Sequence, residues 1–324
     1  MRKKSNKWYR VVYFLTIFGS YFFRIFPLKT WLFLGRCFGL LFYFLAFQQR
    51  RTALRNLRFA FGKEKEENEI VSLARKNFQQ FGMIACEWAR LKYITKEELQ
   101  KLVNVEGKEH LIAARKKSPS VILLGAHFGN WEYAHLLYAS TINRLNFIVR
   151  AIDIPFIEKE RVAFNENFGV GILYQKNGLR PAIRKLKKGE DLVLFADRQA
   201  GSKEGITCKF FGKETSTLAL VPALAQRFHI PIVPMFIIRS KDIVHHRIVF
   251  FPELKIEPSD KENSIREGTQ RQSDIIEKVI REYPDHWVWL HKRWKAHHRY
   301  LYAESLAKRK RRREKRKARH CANM

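Results

Sequence analysis

The chain has 324 residues, 46% of them hydrophobic, and its 62 Lys and Arg against 31 Asp and Glu leave a formal net charge of +31. Its four cysteines, Cys37, Cys86, Cys208 and Cys321, form no C-x2-C pair, which excludes a cysteine metal site and a disulfide framework and points to a reducing, cytoplasmic setting. The charge demands an anionic partner, and nucleic acid and an anionic membrane surface satisfy it equally.

The amino terminus favours the membrane. Residues 1–10 are basic and aromatic, Val11 to Phe23 carries no charge, and Trp31 to Phe47 is interrupted only by Arg36, with Pro27 breaking any helix between the two runs. A spanning helix needs about 20 apolar residues, so the pair reads either as one imperfect span or as two interfacial helices. No small-residue cleavage site follows, which argues against a cleaved signal. Gln48 to Arg58 has an amphipathic pattern suited to anionic headgroups, and Glu67 to Leu91 repeats its apolar residues at helical spacing, as a core-facing helix does.

Beyond residue 120 strands and helices alternate. Val121 to Leu124 is a buried strand, Trp131 to Ser140 a helix, Asn146 to Arg150 a strand, Ile154 to Asn167 a helix and Gly171 to Tyr174 a strand. Leu179 to Lys187 is a short basic helix, Asp191 to Ala196 and Pro231 to Ile238 are buried strands, and Leu218 to Phe228 is an apolar helix. This order predicts an α/β fold with a mostly parallel central sheet flanked by helices, preceded by the N-terminal membrane helix or helices. The expected organisation is a membrane-anchoring segment over 1–50, a catalytic domain over 51–304 and a polybasic tail over 305–324, since no Pro/Gly/Ser-rich linker divides the chain. Lys308 to Arg319 holds ten basic residues and one acid, a solvated attachment to lipid with nucleic acid as its alternative partner.

The chemistry concentrates after the first of these buried strands. His127 follows Gly125, Gly129 and Asn130 suit a tight turn and a helix N-cap, and Glu132 lies five positions beyond the histidine. An imidazole with an ordinary pKa of about 6.5 takes a proton from a hydroxyl near neutral pH, and a carboxylate that reaches it fixes its tautomer. Whether Glu132 folds back to His127 depends on the turn. Arg150 and Asp197 also fall at carboxyl ends of predicted strands, where open α/β sheets place ligands. Thr215 and Ser216 precede the Leu218 helix, where a helix start with free N–H groups would suit a phosphate or an oxyanion. His245 and His246 sit in a strand with His229 nearby in sequence, but no third ligand appears at metal spacing, so no zinc site is expected.

His-Phe-Gly-Asn-Trp-Glu at 127–132 resembles the His-x4-Glu/Asp motif of the lysophospholipid acyltransferase superfamily, and its wording is similar to the bacterial lipid A biosynthesis (Kdo-lipid IV(A)) acyltransferases. Phe195 to Gly201, Phe210 to Gly212 with Thr215 to Thr217, Pro231 to Pro234 and Trp287 to Trp294 resemble that family's landmarks in order. Arg198 between Asp197 and Gln199 departs from its pattern. The resemblance implies a catalytic pair His127 and Glu132, with Arg150, Asp197, Asn130, Thr215 and Ser216 contacting substrate, and with Trp287 to Trp294 closing the domain and offering Lys292 and Arg293 to an anionic lipid. It further implies an acyl-thioester-dependent O-acyltransferase, without metal or bound cofactor, that acylates a lipid A precursor at the cytoplasmic face of the bacterial inner membrane. The thioester is expected on acyl carrier protein, or on coenzyme A as in related branches. The alternatives are another glycolipid or amino-acid lipid acceptor, and a catalytically inactive tethered protein that binds nucleic acid, a partner not expected while His127 and Glu132 are intact.

Overall fold

In the computed structural model, residues 27–201, 205–256, 260–304 and 306–307 are described. The expectations for residues 1–26 and for the basic stretch Lys308 to Arg319 lie outside them. Pro27 stands immediately before the first described helix, α1 (Leu28–Leu45), where its fixed φ and missing N–H cost nothing. α2 (Phe47–Phe61) and α3 (Glu67–Arg90) follow, the latter opened by a capping box in which Glu66 and Glu69 exchange hydrogen bonds with each other's backbone. α1 lies against α3 at a glycine contact: a Cβ on Gly82 would stand 2.1 Å from the Gly35 carbonyl oxygen, and one on Gly39 would stand 2.3 Å from that of Phe78. The helix is therefore joined to the domain along one face, and the opposite face leaves Phe33, Phe38 and Leu45 about 60% exposed.

The rest alternates as expected, with additions. α4 (Lys96–Leu102), β1 (Val103–Glu106) and α5 (Lys108–Arg115) precede β2 (Ile122–Gly125), and after it come α6 (Trp131–Thr141), β3 (Leu145–Val149), α7 (Pro155–Asn167), β4 (Val170–Tyr174), α8 (Leu179–Lys187) and β5 (Asp191–Phe195). A hairpin of β6 (Gly205–Phe210) and β7 (Lys213–Leu218) leads to α9 (Leu220–Phe228), β8 (Ile232–Arg239), β9 (His246–Phe250) and α10 (Lys261–Glu282). Seven strands form one sheet in the order β1-β9-β8-β2-β5-β3-β4, every neighbouring pair parallel except β8 with β9.

The sheet is covered on both faces, which is why its central strands are continuous aliphatic runs. Ile122 and Leu124 pack on the side of α2, α3, α8, α9 and α10, while Val121 and Leu123 pack on the side of α4, α5 and α6. The amphipathic stripe of α2 turns inward: Ala53, Asn56 and Leu57 are buried, and Arg51 and Arg55 on its flank pair with Glu304. The tryptophans 287, 289 and 294 are wholly buried under this face, so the C-terminal aromatic stretch is a structural seam of the domain.

Candidate active site

β2 and β5 are adjacent parallel strands with Gly125 and Phe195 in register, and His127 and Asp197 each stand two residues beyond that pair. The sheet therefore delivers an imidazole and a carboxylate to the same point at its carboxyl edge. His127 Nδ1 donates to Asp197 Oδ1 at 2.9 Å, and the His127 backbone N–H donates to Oδ2 at 3.1 Å. The Trp287 indole donates to Oδ2 at 2.9 Å. Burial alone raises the pKa of the solvent-free Asp197 carboxyl, but the charge and hydrogen bond of His127, with His291 and Trp287, outweigh it and hold the group well below the usual carboxylate range. It is an anion whose lone pairs are engaged by fixed donors.

The acceptor on Nδ1 sets the tautomer: the proton resides there, and Nε2 keeps its lone pair. The His127 side chain retains 22% exposure, and its Nε2 has no hydrogen-bond partner among the described residues. Three rings meet it edge to face, Phe195 and His291 with centroids at 4.9 Å and Trp131 at 5.5 Å, and they restrict its rotamer. The imidazole is thus oriented from behind, caged at its sides and open in front, as a general base must be.

The turn that carries it is fixed by glycine and asparagine. Gly129 has φ +57, and a Cβ there would stand 2.2 Å from the Ile237 carbonyl oxygen. Asn130 caps α6 by accepting from the Tyr133 N–H, accepts from the Trp88 indole at 3.1 Å and donates to Glu87 at 2.9 Å. Glu87 is wholly buried and is held also by Arg239 and by His246 Nε2. Burial raises its pKa, and the charges of His246 and Arg239 more than reverse that, to about 2.

The site residues expected from the sequence are distributed differently from their expected roles. Among the described residues no hydrogen bond joins Glu132 to His127; burial pushes the Glu132 carboxyl up, with Arg161 and a hydrogen bond from the Trp131 side chain opposing. Asp197, read as a substrate contact, is instead the carboxylate on His127. Asn130, read as a substrate contact, is wholly buried with its side chain bonded to Glu87, Trp88 and the Tyr133 N–H, which places it in the support of the turn. Thr215 and Ser216 do not sit at the start of the following helix, which begins at Leu220: they lie in β7 with buried side chains, and the Thr215 hydroxyl donates to the Arg293 carbonyl. Arg293, read as a lipid contact, is buried and donates to the carbonyls of Arg198 and Ser216 and to the Thr217 hydroxyl. Arg150 follows β3, is 77% exposed and pairs with Asp153 at 3.3 Å.

Trp287, His291 and the Glu87–Arg239 pair complete the surroundings of His127 and its turn. Their long sequence separation from His127 leaves no local pattern, although the dense aromatic stretch at 287–294 was the available signal.

A family model of the bacterial lipid A biosynthesis acyltransferases matches residues 1–296. The chain belongs to that family. Among curated relatives, this lipid A acyltransferase family member is 24% identical over 307 residues to the lipid A biosynthesis palmitoleoyltransferase of Escherichia coli K12, covering 90% of this chain and 95% of the relative. It is 24% identical over 254 residues to the lipid A biosynthesis lauroyltransferase of the same organism, covering 78% and 81%. Among solved structures it is similar to the 1-acyl-sn-glycerophosphate acyltransferase PlsC of Thermotoga maritima, at 14% identity and a TM-score of 0.37, over 78% of this chain and 96% of that one.

Proposed function

We propose that this family member transfers a fatty acyl chain from an acyl thioester, with acyl carrier protein as its carrier, to a hydroxyl of a lipid A precursor at the cytoplasmic face of the bacterial inner membrane. The observation that carries the reading is the 2.9 Å bond from His127 Nδ1 to the buried, ionised Asp197, which leaves Nε2 as the free base. Nε2 takes the proton of the acceptor hydroxyl as its oxygen attacks the thioester carbonyl. The tetrahedral oxyanion collapses, the C–S bond breaks, and the departing thiolate receives the proton from Nε2; the products are an ester and a free thiol. Asp197 stabilises the transient imidazolium without taking its proton.

Glu132 assists from the side: the Trp131 side chain that bonds to it also packs on the His127 ring. Arg150, solvent-facing at a strand end and paired on the surface with Asp153, can exchange that partner for an anionic group of a substrate. The exposed aromatic face of α1 suits a lipid surface, and Leu28–Leu45 is long and apolar enough to cross a membrane, with a mean hydropathy of 1.4. A net charge of +31 suits both anionic lipid and an acidic carrier.

The test is to offer the purified full-length protein a tetra-acylated lipid A precursor with acyl carrier protein thioesters of several chain lengths, and to weigh the lipid products by mass spectrometry. A product heavier by one acyl chain is expected. Absence of any acylated product, with hydroxyl acceptors and both carriers supplied, overturns the proposal.

A further inference from the structure

Beside His127 stands a second histidine to which the reaction as described assigns no part. His291 belongs to the C-terminal aromatic stretch, which folds back over the catalytic turn. Val288 N–H donates to the His127 carbonyl at 3.1 Å, Phe128 and Trp287 form an antiparallel bridge, and Asn56 donates to the carbonyls of Trp289 and His291 at 2.6 and 2.8 Å. Asn56 is itself held by the Tyr302 hydroxyl at 2.6 Å. The backbone carrying His291 is thus pinned on both sides, and the ring is set with its centroid 4.9 Å from that of His127 and its plane turned by 75°.

This imidazole is unspent. Neither of its ring nitrogens has a hydrogen-bond partner among the described residues, and of the two only Nε2 is enclosed. Burial lowers its pKa to about 4, with Asp197 opposing and His127 and Arg198 adding to the fall, so it is neutral where His127 works and carries one N–H and one lone pair. A neutral imidazole donates a hydrogen bond without competing as a base, and the attack on the thioester creates an oxyanion that needs such a donor. Arg150 is remote by comparison: β3 lies two strand spacings from β2, about 10 Å.

We propose that His291 is a further catalytic residue, whose ring N–H hydrogen-bonds the thioester carbonyl oxygen and stabilises the oxyanion formed when the acceptor hydroxyl attacks. The inference rests on the acyl-transfer reading above. In the ground state the carbonyl oxygen accepts this bond weakly; as the carbon becomes tetrahedral the oxygen gains charge and the bond strengthens, so the contribution falls on turnover and not on binding.

His291→Phe keeps a ring against His127 and removes the N–H, whereas His291→Gln restores a donor and loses the ring. With full-length protein, the tetra-acylated precursor and acyl carrier protein thioester, His291→Phe is expected to lower kcat by about 10²-fold with KM little changed, the range typical for loss of one oxyanion donor. His291→Gln is expected to recover part of that loss. Turnover of His291→Phe near that of the unmodified protein overturns the proposal, and so does a Gln variant less active than the Phe variant, the order that pure ring packing would produce. If the unmodified protein transfers no acyl chain, the reaction itself is misassigned and this role falls with it. If it is active and His127→Ala is not, a fully active His291→Phe refutes this inference alone.

Discussion

Arg239 and Glu87 form a two-point pair, at 2.5 and 2.7 Å, entirely inside the protein and behind the turn that carries His127. The pair joins α3, the helix on which α1 rides, to β8 in the sheet, and through Asn130 it reaches the cap of α6. Removing one member strands the other as an uncompensated buried charge, so Glu87→Ala is expected to cost about 3–5 kcal/mol of stability by urea unfolding. A double change of Glu87 and Arg239 to apolar residues of similar volume should cost less than Glu87→Ala alone. Equal costs would show that the network carries no charge coupling.

Asp197 and Glu132 compete for the role of the carboxylate that orients His127. Because Nδ1 faces Asp197, Asp197→Asn is expected to lower kcat by about 10³-fold or more while leaving the fold intact, the consequence of a misdirected tautomer. Glu132→Gln should cost less, since its connection runs through the Trp131 ring. The reverse order in matched turnover measurements would return the orienting role to Glu132.

His135 is buried in α6 with both ring nitrogens lacking a hydrogen-bond partner among the described residues, and burial lowers its pKa to about 3, with His127 adding to the fall. Its folded pKa is depressed, so the unfolded chain binds the proton first as pH falls. Stability from this group is complete above its ordinary value near 6.5 and erodes from there down towards pH 3, each pH unit being worth about 1.4 kcal/mol. Urea midpoints between pH 7.5 and pH 5 are expected to fall less steeply in His135→Leu than in the unmodified protein. An unchanged slope would contradict the assignment.

The α1–α3 contact leaves no room for a side chain at Gly82, where the nearest atoms are the backbone of Gly35 and Gly39. Gly82→Val is expected to cost about 1–3 kcal/mol through overpacking and to lower the midpoint of thermal unfolding in detergent. A midpoint equal to that of the unmodified protein would mean that α1 is not seated on α3.

Much of this architecture is legible in the chain because it is local. The run Val121 to Leu124 reads as a strand since both faces of the sheet are covered, Asn130 reads as a cap since its side chain serves the next turn, and the helix Leu179–Lys187 is found at both ends. What escapes is what depends on pairing between distant segments. The hydroxyls of Thr215 and Ser216 suggest a helix start, but the cross-strand partners Cys208 and Thr207 make them a hairpin. The meeting of His127 with Asp197 requires β2 to neighbour β5, an order that no spacing within either segment contains. Arg293 looks like a surface cation until the carbonyls that bury it are brought in from Arg198 and Ser216.

The central claim is that His127 is the base of acyl transfer, and the most direct measurement is the turnover of purified His127→Ala with a lipid A precursor and acyl thioester, alongside circular dichroism to confirm folding. A folded variant slowed by about 10²–10⁴-fold is the expected result. A folded variant that transfers acyl chains at nearly the unmodified rate would contradict it.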